Sequence, residues 1–161
     1  MQHTLFIAPT EMKSGLTSIS LGLIRALDQL GLKVAICKPI AQTTEGTRQR
    51  SIDLLSQATG IDAPTPISLK QAQSMMGSGQ QDRLMEVIGM HRAIRKEADV
   101  VIIEGLEPDR NEPYAARLNA EMAKTLDADV ILVASPKDRD IDALRQHLEV
   151  VKSLYGGEKN Q

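Results

Sequence analysis

Aromatic residues are almost missing from this chain, whose 161 residues hold no tryptophan, one phenylalanine and two tyrosines. Binding of bases by stacking needs flat rings, so a nucleic-acid platform is a poor reading. Cysteine is scarcer still. Cys37 stands alone, which excludes an internal disulfide and any multi-cysteine metal site, and suits a reducing cytoplasm. An excess of one charge is missing as well: 19 basic residues face 21 acidic ones, for a net charge of −2. That balance supplies no pull towards a polyanion or an anionic membrane. No run approaches the roughly 20 apolar residues of a membrane span, and the apolar stretch in "MQHTLFIAPTE" is too short for a secretory signal. The expectation is a cytoplasmic protein with neither nucleic-acid nor membrane partners.

What is present is the material of one globular domain. The length suits a single core, and 42% hydrophobic with 25% charged residues is near the average for such domains. Four short apolar runs, "TLFIA" (4–8), "LKVAIC" (32–37), "DVVIIE" (99–104) and "DVILVA" (129–134), predict buried parallel strands. Helical spacing lies between and after them. Ile19, Leu23, Ala26, Leu27 and Leu30 mark a first helix, stopped by Gly31. Leu84, Val87, Ile88, His91 and Ile94 mark a second, Leu118, Met122 and Leu126 a third, and Ile141, Leu144, Leu148, Val151 and Tyr155 a last one that ends at Gly156-Gly157. Strands alternating with helices imply an α/β fold, a doubly wound, mostly parallel sheet with helices on both faces. Ligands in such sheets bind beyond the carboxyl ends of the strands. Residues 41–49 and 62–80, rich in Thr, Gln, Ser, Gly and Pro, read as loops over that edge. The turn-like "YGGEKNQ" leads to no further strand, so the expectation is a domain spanning 1–161 and truncated at its C-terminus.

At 7–18 the sequence reads "IAPTEMKSGLTS". A strand, a small-residue loop and a helix in this order suit a phosphate-binding loop, in which backbone N–H groups converge on an anion at the helix N-terminus. Thr10, Lys13, Ser14, Gly15, Thr17 and Ser18 are the candidate contacts. The parts are incomplete. Pro9 replaces an opening glycine and Leu16 the lysine that normally reaches the phosphates, while Glu11 puts a carboxylate where phosphates would sit. Lys13 compensates only by curling back over the loop. The plain alternative is a capped helix, with Ser14 or Thr17 satisfying N–H groups.

Lys38, at the end of the second strand, reads either as an anion contact or as a solvated charge at the start of a loop. Glu104-Gly105, after the third strand, reads as a Walker-B-type acid or as an ionic partner for Lys38 across the rim. Asp53 and Arg48 read as helix cap and solvated charge, His91 as a part-buried or interfacial histidine, and Cys37 as inert burial.

"FIAPTEMKSGLTSISLGLIRALDQLGLKVAICKPIAQ" resembles the N-terminal domain of long-form bacterial phosphate acetyltransferases, whose opening runs PTG-x-x-x-GLTS-x-SLG…KPIAQ. "DRLMEVI", "VVIIEGL-x-P" (101–108) and "LNAEMAKTLDADVILV" (118–133) extend the likeness over nearly the whole chain. Leu16 belongs to that pattern. The domain is in turn similar to dethiobiotin synthetase, a P-loop, ATP-dependent ligase with G-K-T in its loop, K-P after its second strand and E-G-A-G-G after a later one. Lys38-Pro39 and Glu104-Gly105 match those words; Leu16 and Leu106-Glu107 depart from them.

The resemblance implies a parent enzyme that interconverts acetyl-CoA and phosphate with acetyl phosphate and CoA, with its catalytic residues in a separate C-terminal domain. For this chain it implies a degenerate P-loop NTPase-like domain without catalytic residues or metal, acting in hexamer assembly and in regulation by anionic effectors such as ATP or NADH. The expected partners are the parent's own catalytic domain and further copies of the chain, in a hexamer for the full-length protein and a dimer for an isolated copy. The rival readings are an ATP-dependent carboxylate ligase and a self-associating interaction module without ligand.

Overall fold

A computed structural model describes residues 2–42, 50–93, 97–109, 112 and 114–156, with backbone alone for 50–52 and 91–93. Four parallel strands form the main sheet: β1 (His3–Pro9), β2 (Val34–Cys37), β5 (Val100–Glu104) and β6 (Asp129–Val133), in the order β2-β5-β1-β6. Their alternation explains the two-sided burial. Phe6, Ala8, Ala35, Cys37, Val101 and Ile103 enter one apolar cluster, and Ile7, Ile36, Val100, Ile102 and Val133 the other. Helix α1 (Leu16–Gln29) and helix α2 (Arg50–Thr59) cover the second cluster through Leu16, Ile24 and Leu55. The first is covered by α3 (Leu69–Gly77), α4 (Gln81–Ala93) and α5 (Ala115–Thr125), with Tyr155 just after α6 (Ile141–Leu154). The expected doubly wound sheet is what forms.

Several expectations need correction. The buried stripe of α1 is Leu16, Ser20 and Ile24, not the one centred on Ile19 and Leu30, both of which face solvent together with Ala26. On α6 no residue is fully buried, and Ile141 is 76% exposed. Part of the stretch read as loop is ordered: β3 (Ile40–Ala41) pairs in parallel with β4 (Ile67–Ser68), and α3 follows directly. Ser68 starts that helix with a capping box, its hydroxyl accepting from the Gln71 N–H while the Gln71 side chain accepts from the Ser68 N–H. Asp53, read as a helix cap, lies inside the first turn of α2 instead, as the fourth residue of the helix. Arg48, Gly157 and the side chain of His91 lie outside the described residues.

Candidate functional site

The sheet order places a crevice at the carboxyl end of β1. This strand pairs with β5, Ile7 opposite Glu104, and with β6, Pro9 opposite Val133. From β1 the chain leaves to α1 on one face; from β5 it leaves to α5 on the other. Neighbouring connections that part in opposite directions open a cleft between them. Both ladders run one bond further: the Gly105 N–H donates to the Ile7 carbonyl at 2.9 Å and the Thr10 N–H to the Val133 carbonyl at 2.9 Å.

Beyond Thr10 the chain curls into a loop. Lys13 (φ 56°) and Gly15 (φ 92°) both take the left-handed conformation, the latter as N-cap of α1. No side chain caps this helix, so the alternative in which Ser14 or Thr17 supplies the cap is ruled out. The first-turn N–H groups therefore lack an intrahelical acceptor and carry the positive end of the helix dipole. The hydroxyls of Thr10 (6% exposed) and Ser14 (9% exposed) are buried in this loop without a hydrogen-bond partner. Thr17 is half-buried, whereas Lys13 and Ser18 are exposed.

Lys38 follows β2 and Glu104 ends β5, and the two strands are neighbours. Lys38 Nζ lies 3.8 Å from Glu104 Oε2, with both side chains shielded from solvent. This is the ionic partnership that the sequence offered as one of two readings. It is incomplete, because neither carboxylate oxygen of Glu104 has a hydrogen-bond partner. Burial pushes the Glu104 carboxyl above the usual range, opposed by the Lys38 charge and by the nearby Ser20 hydroxyl, and assisted by the Glu107 charge. Ser20 Oγ is fully buried beside Glu104, close enough to act on its charge but outside good hydrogen-bond geometry with it. Four orphaned groups, on Thr10, Ser14, Ser20 and Glu104, thus sit at one sheet edge beside a buried ammonium.

Two of the residues that depart from a nucleotide-loop pattern, Leu16 and Glu11, have definite places. Leu16, 4% exposed, packs with Ile7, Ile24 and Val133 beneath the loop, so the position of the usual lysine serves the core. Glu11 turns towards the segment after β6. Its Oε1 accepts from Arg139 Nη1 (2.9 Å) and the Ser135 N–H (3.3 Å), and its Oε2 from Arg139 Nη2 (2.7 Å), with Lys137 Nζ at 3.2 Å.

Two primary amides fix the segment that follows Glu104. Asn119, fully buried on α5, accepts from the Leu106 N–H (2.7 Å) and donates to the Leu106 carbonyl (2.8 Å). Gln42 does the same for Glu107, accepting at 2.6 Å and donating at 2.8 Å. Gly105 is packing space: a Cβ there would lie 2.9 Å from Phe6 Cε1 and 3.1 Å from the Ile7 carbonyl oxygen. A groove between α5 and the start of β6, lined by Ala120, Lys124, Asp129 and Leu154, lies at the other end of the sheet and holds none of these groups.

Sequence reasoning placed Lys38 and Glu104 together and missed Ser20, Gln42, Asn119, Lys137 and Arg139. Ser20 alone carried a local signal, as a hydroxyl four residues from Leu16 and from Ile24. Among the described residues there is no cluster of metal-ligating side chains, and no helix is long and apolar enough to cross a membrane.

Comparison with known proteins gives a consistent picture. The chain is 46% identical over 161 residues to a phosphate acetyltransferase of Pseudomonas aeruginosa and 39% identical over 163 residues to that of Haemophilus influenzae. These alignments cover 98% and 99% of the chain but 23% of each relative, at its N-terminal end. The chain thus spans about a quarter of the length of those relatives. Among solved structures, the signal recognition particle receptor FtsY from Elizabethkingia anophelis superposes with a TM-score of 0.66 at 16% identity, covering 98% of this chain and 48% of the receptor. At that identity the likeness concerns the fold, which is P-loop NTPase-like. The AAA domain family model matches residues 3–157, nearly all of the architecture just described, and the chain belongs to that family.

Proposed function

We propose that this chain is the N-terminal regulatory and assembly domain of a phosphate acetyltransferase, binding an anionic effector at the β1–α1 loop while the acetyl transfer takes place in residues outside it. The observation that carries the reading is the set of buried, unpartnered groups on Thr10, Ser14, Ser20 and Glu104 beside Lys38, under an uncapped helix N-terminus. Buried polar groups without partners are costly, about 1–3 kcal/mol each, and an anionic ligand that accepts from the orphaned hydroxyls recovers that cost for them. The loop N–H groups and Lys38 would hold phosphate oxygens, and the hydroxyls would complete the shell. The burial of Leu16 supports a binding rather than a hydrolytic role, because the position of the usual loop lysine is spent on the core.

Coupling between such a site and a catalytic domain is typically about 1–3 kcal/mol and reciprocal. The test is calorimetric titration of the chain with magnesium-ATP, NADH and phosphoenolpyruvate. Heat from one of them, lost in Lys38→Met, is the expected result; silence from all three at millimolar concentration overturns the effector role. Steady ATP hydrolysis would instead favour a ligase resembling dethiobiotin synthetase.

One observation favours a docking role alongside. Among the described residues β6 pairs on one side only, with β1, and α6 presents Ile141, Val150 and Leu154 to solvent. An open strand edge beside apolar side chains suits packing against the catalytic domain or a second copy of the chain. Light scattering over a concentration series reads the second case directly.

A further inference from the structure

The four donors around Glu11 form an anion cradle, and the anion in it belongs to the protein. We propose that Arg139, Lys137 and the Ser135 N–H constitute a phosphate-class oxyanion subsite that Glu11 occupies as a built-in competitor. The subsite lies on the β6 flank of β1, whereas Lys38 and Glu104 lie on the β5 flank, so it holds whether or not the loop takes a nucleotide.

Three features carry the inference. The donors converge from a five-residue span of chain, 135–139, on a single carboxylate: a guanidinium fork at 2.7 and 2.9 Å, an amide at 3.3 Å and an ammonium at 3.2 Å. A planar fork with an adjacent ammonium and a backbone N–H is also the donor set that recognises phosphate, whose three terminal oxygens spread four donors better than two carboxylate oxygens do. The cradle is reachable from solvent, since the side chains of Arg139 and Lys137 are 30% and 44% exposed.

The contact is also wired to the loop. Lys137 Nζ donates to the Met12 carbonyl at 3.1 Å while it pairs with Glu11, so an oxyanion that takes over Lys137 and Arg139 releases residues 11 and 12 together. Protonation is no alternative route to opening: the Arg139 hydrogen bonds hold the Glu11 carboxyl down to about 2, and it stays charged at any working pH. Displacement by a more highly charged anion is what remains.

The test is titration of the full chain with inorganic phosphate at fixed ionic strength. Glu11→Gln is expected to bind phosphate at least tenfold more tightly than the unaltered chain, and Glu11→Gln with Arg139→Gln to lose the gain. Equal affinity in the first comparison, or a gain that survives loss of Arg139, overturns the proposal. Acetate, with one charge and two oxygens like Glu11 itself, is expected not to compete; acetate binding as tight as phosphate overturns the phosphate class. A measurement on the unaltered chain guards against a misfolded variant. Saturating phosphate is expected to move the Glu11 carboxyl carbon resonance towards that of a solvated glutamate, and an unmoved signal likewise overturns the proposal.

Discussion

Lys38 Nζ and Glu104 Oε2 face one another at 3.8 Å, each at the carboxyl end of its own strand and each closed off from water. Removing one charge of such a pair strands the other, and the cost is about 3–5 kcal/mol, whereas replacing both by apolar groups of similar volume is often neutral. Lys38→Met is therefore expected to lower stability by that amount at pH 7, and Lys38→Met with Glu104→Leu to recover most of it. The sign of the pH dependence follows from burial. A carboxyl whose folded pKa is raised binds its proton more tightly when folded, so the stability deficit of Lys38→Met grows as pH rises above the usual 4.5 and shrinks below it. Urea titration of the single and double variants at pH 4 and pH 7 checks both statements. A Lys38→Met midpoint equal to that of the unaltered chain would contradict them.

Glu11 has the opposite dependence. Its folded pKa is depressed from the usual 4.5 to about 2, first by the Arg139 hydrogen bonds, against burial, and further by Lys137 and the Ser135 N–H. The contribution is complete above pH 4.5 and is lost as pH falls from there towards 2. The pair lies at the rim, so solvent screening keeps the contribution small. Glu11→Gln is expected to melt below the unaltered chain at pH 7 and level with it near pH 2, as read by circular dichroism.

Asn119 joins α5 to the segment after Glu104 by two bonds to Leu106, and its amide also borders the buried Tyr155 hydroxyl, whose pKa burial pushes up to about 12. Asn119→Ala leaves a buried N–H and carbonyl unpaired, at about 1–3 kcal/mol each. A loss of about 2–5 kcal/mol in urea unfolding is expected. Gly105→Ala is expected to cost about 1–3 kcal/mol by overpacking against Phe6 and the Ile7 carbonyl. If both variants match the unaltered chain, the segment is not pinned as described.

The strands were legible because buried parallel strands are continuous apolar runs: 4–8 was expected and His3–Pro9 formed, 129–134 was expected and Asp129–Val133 formed. The face of α1 was misread for a related reason. Burial there follows the crevice, which takes the Ser20 hydroxyl against Glu104, and the apolar Ile19 and Leu30 are left outside. Helix α3 was legible in principle, since Ser68 and Gln71 have capping-box spacing, but the polar composition around them pointed to a loop. Of the site, Lys38 and Glu104 were found because strand ends can be counted from sequence. Arg139 was not, because its partner Glu11 lies 128 residues away and no local pattern joins them.

Leu16 decides how far the loop can be returned to nucleotide chemistry. It occupies the lysine position of a phosphate-binding loop, yet its side chain lies among Ile7, Ile24 and Val133, 4% exposed. Leu16→Lys removes a buried apolar side chain worth about 1.5–3 kcal/mol and sends a charge along the same path. Two results are in competition. If the buried direction is fixed by the backbone of the first helical turn, the variant loses at least about 2 kcal/mol in urea unfolding and gains no affinity for magnesium-ATP. If the longer side chain can turn up into the loop, stability is nearly kept and ATP affinity rises. The left-handed Gly15 sets the direction of the following residue, and Leu16 already lies beneath the loop, so the first result is expected. The second would mean that leucine at this position is the main obstacle to nucleotide binding, and that the cradle above it is otherwise intact.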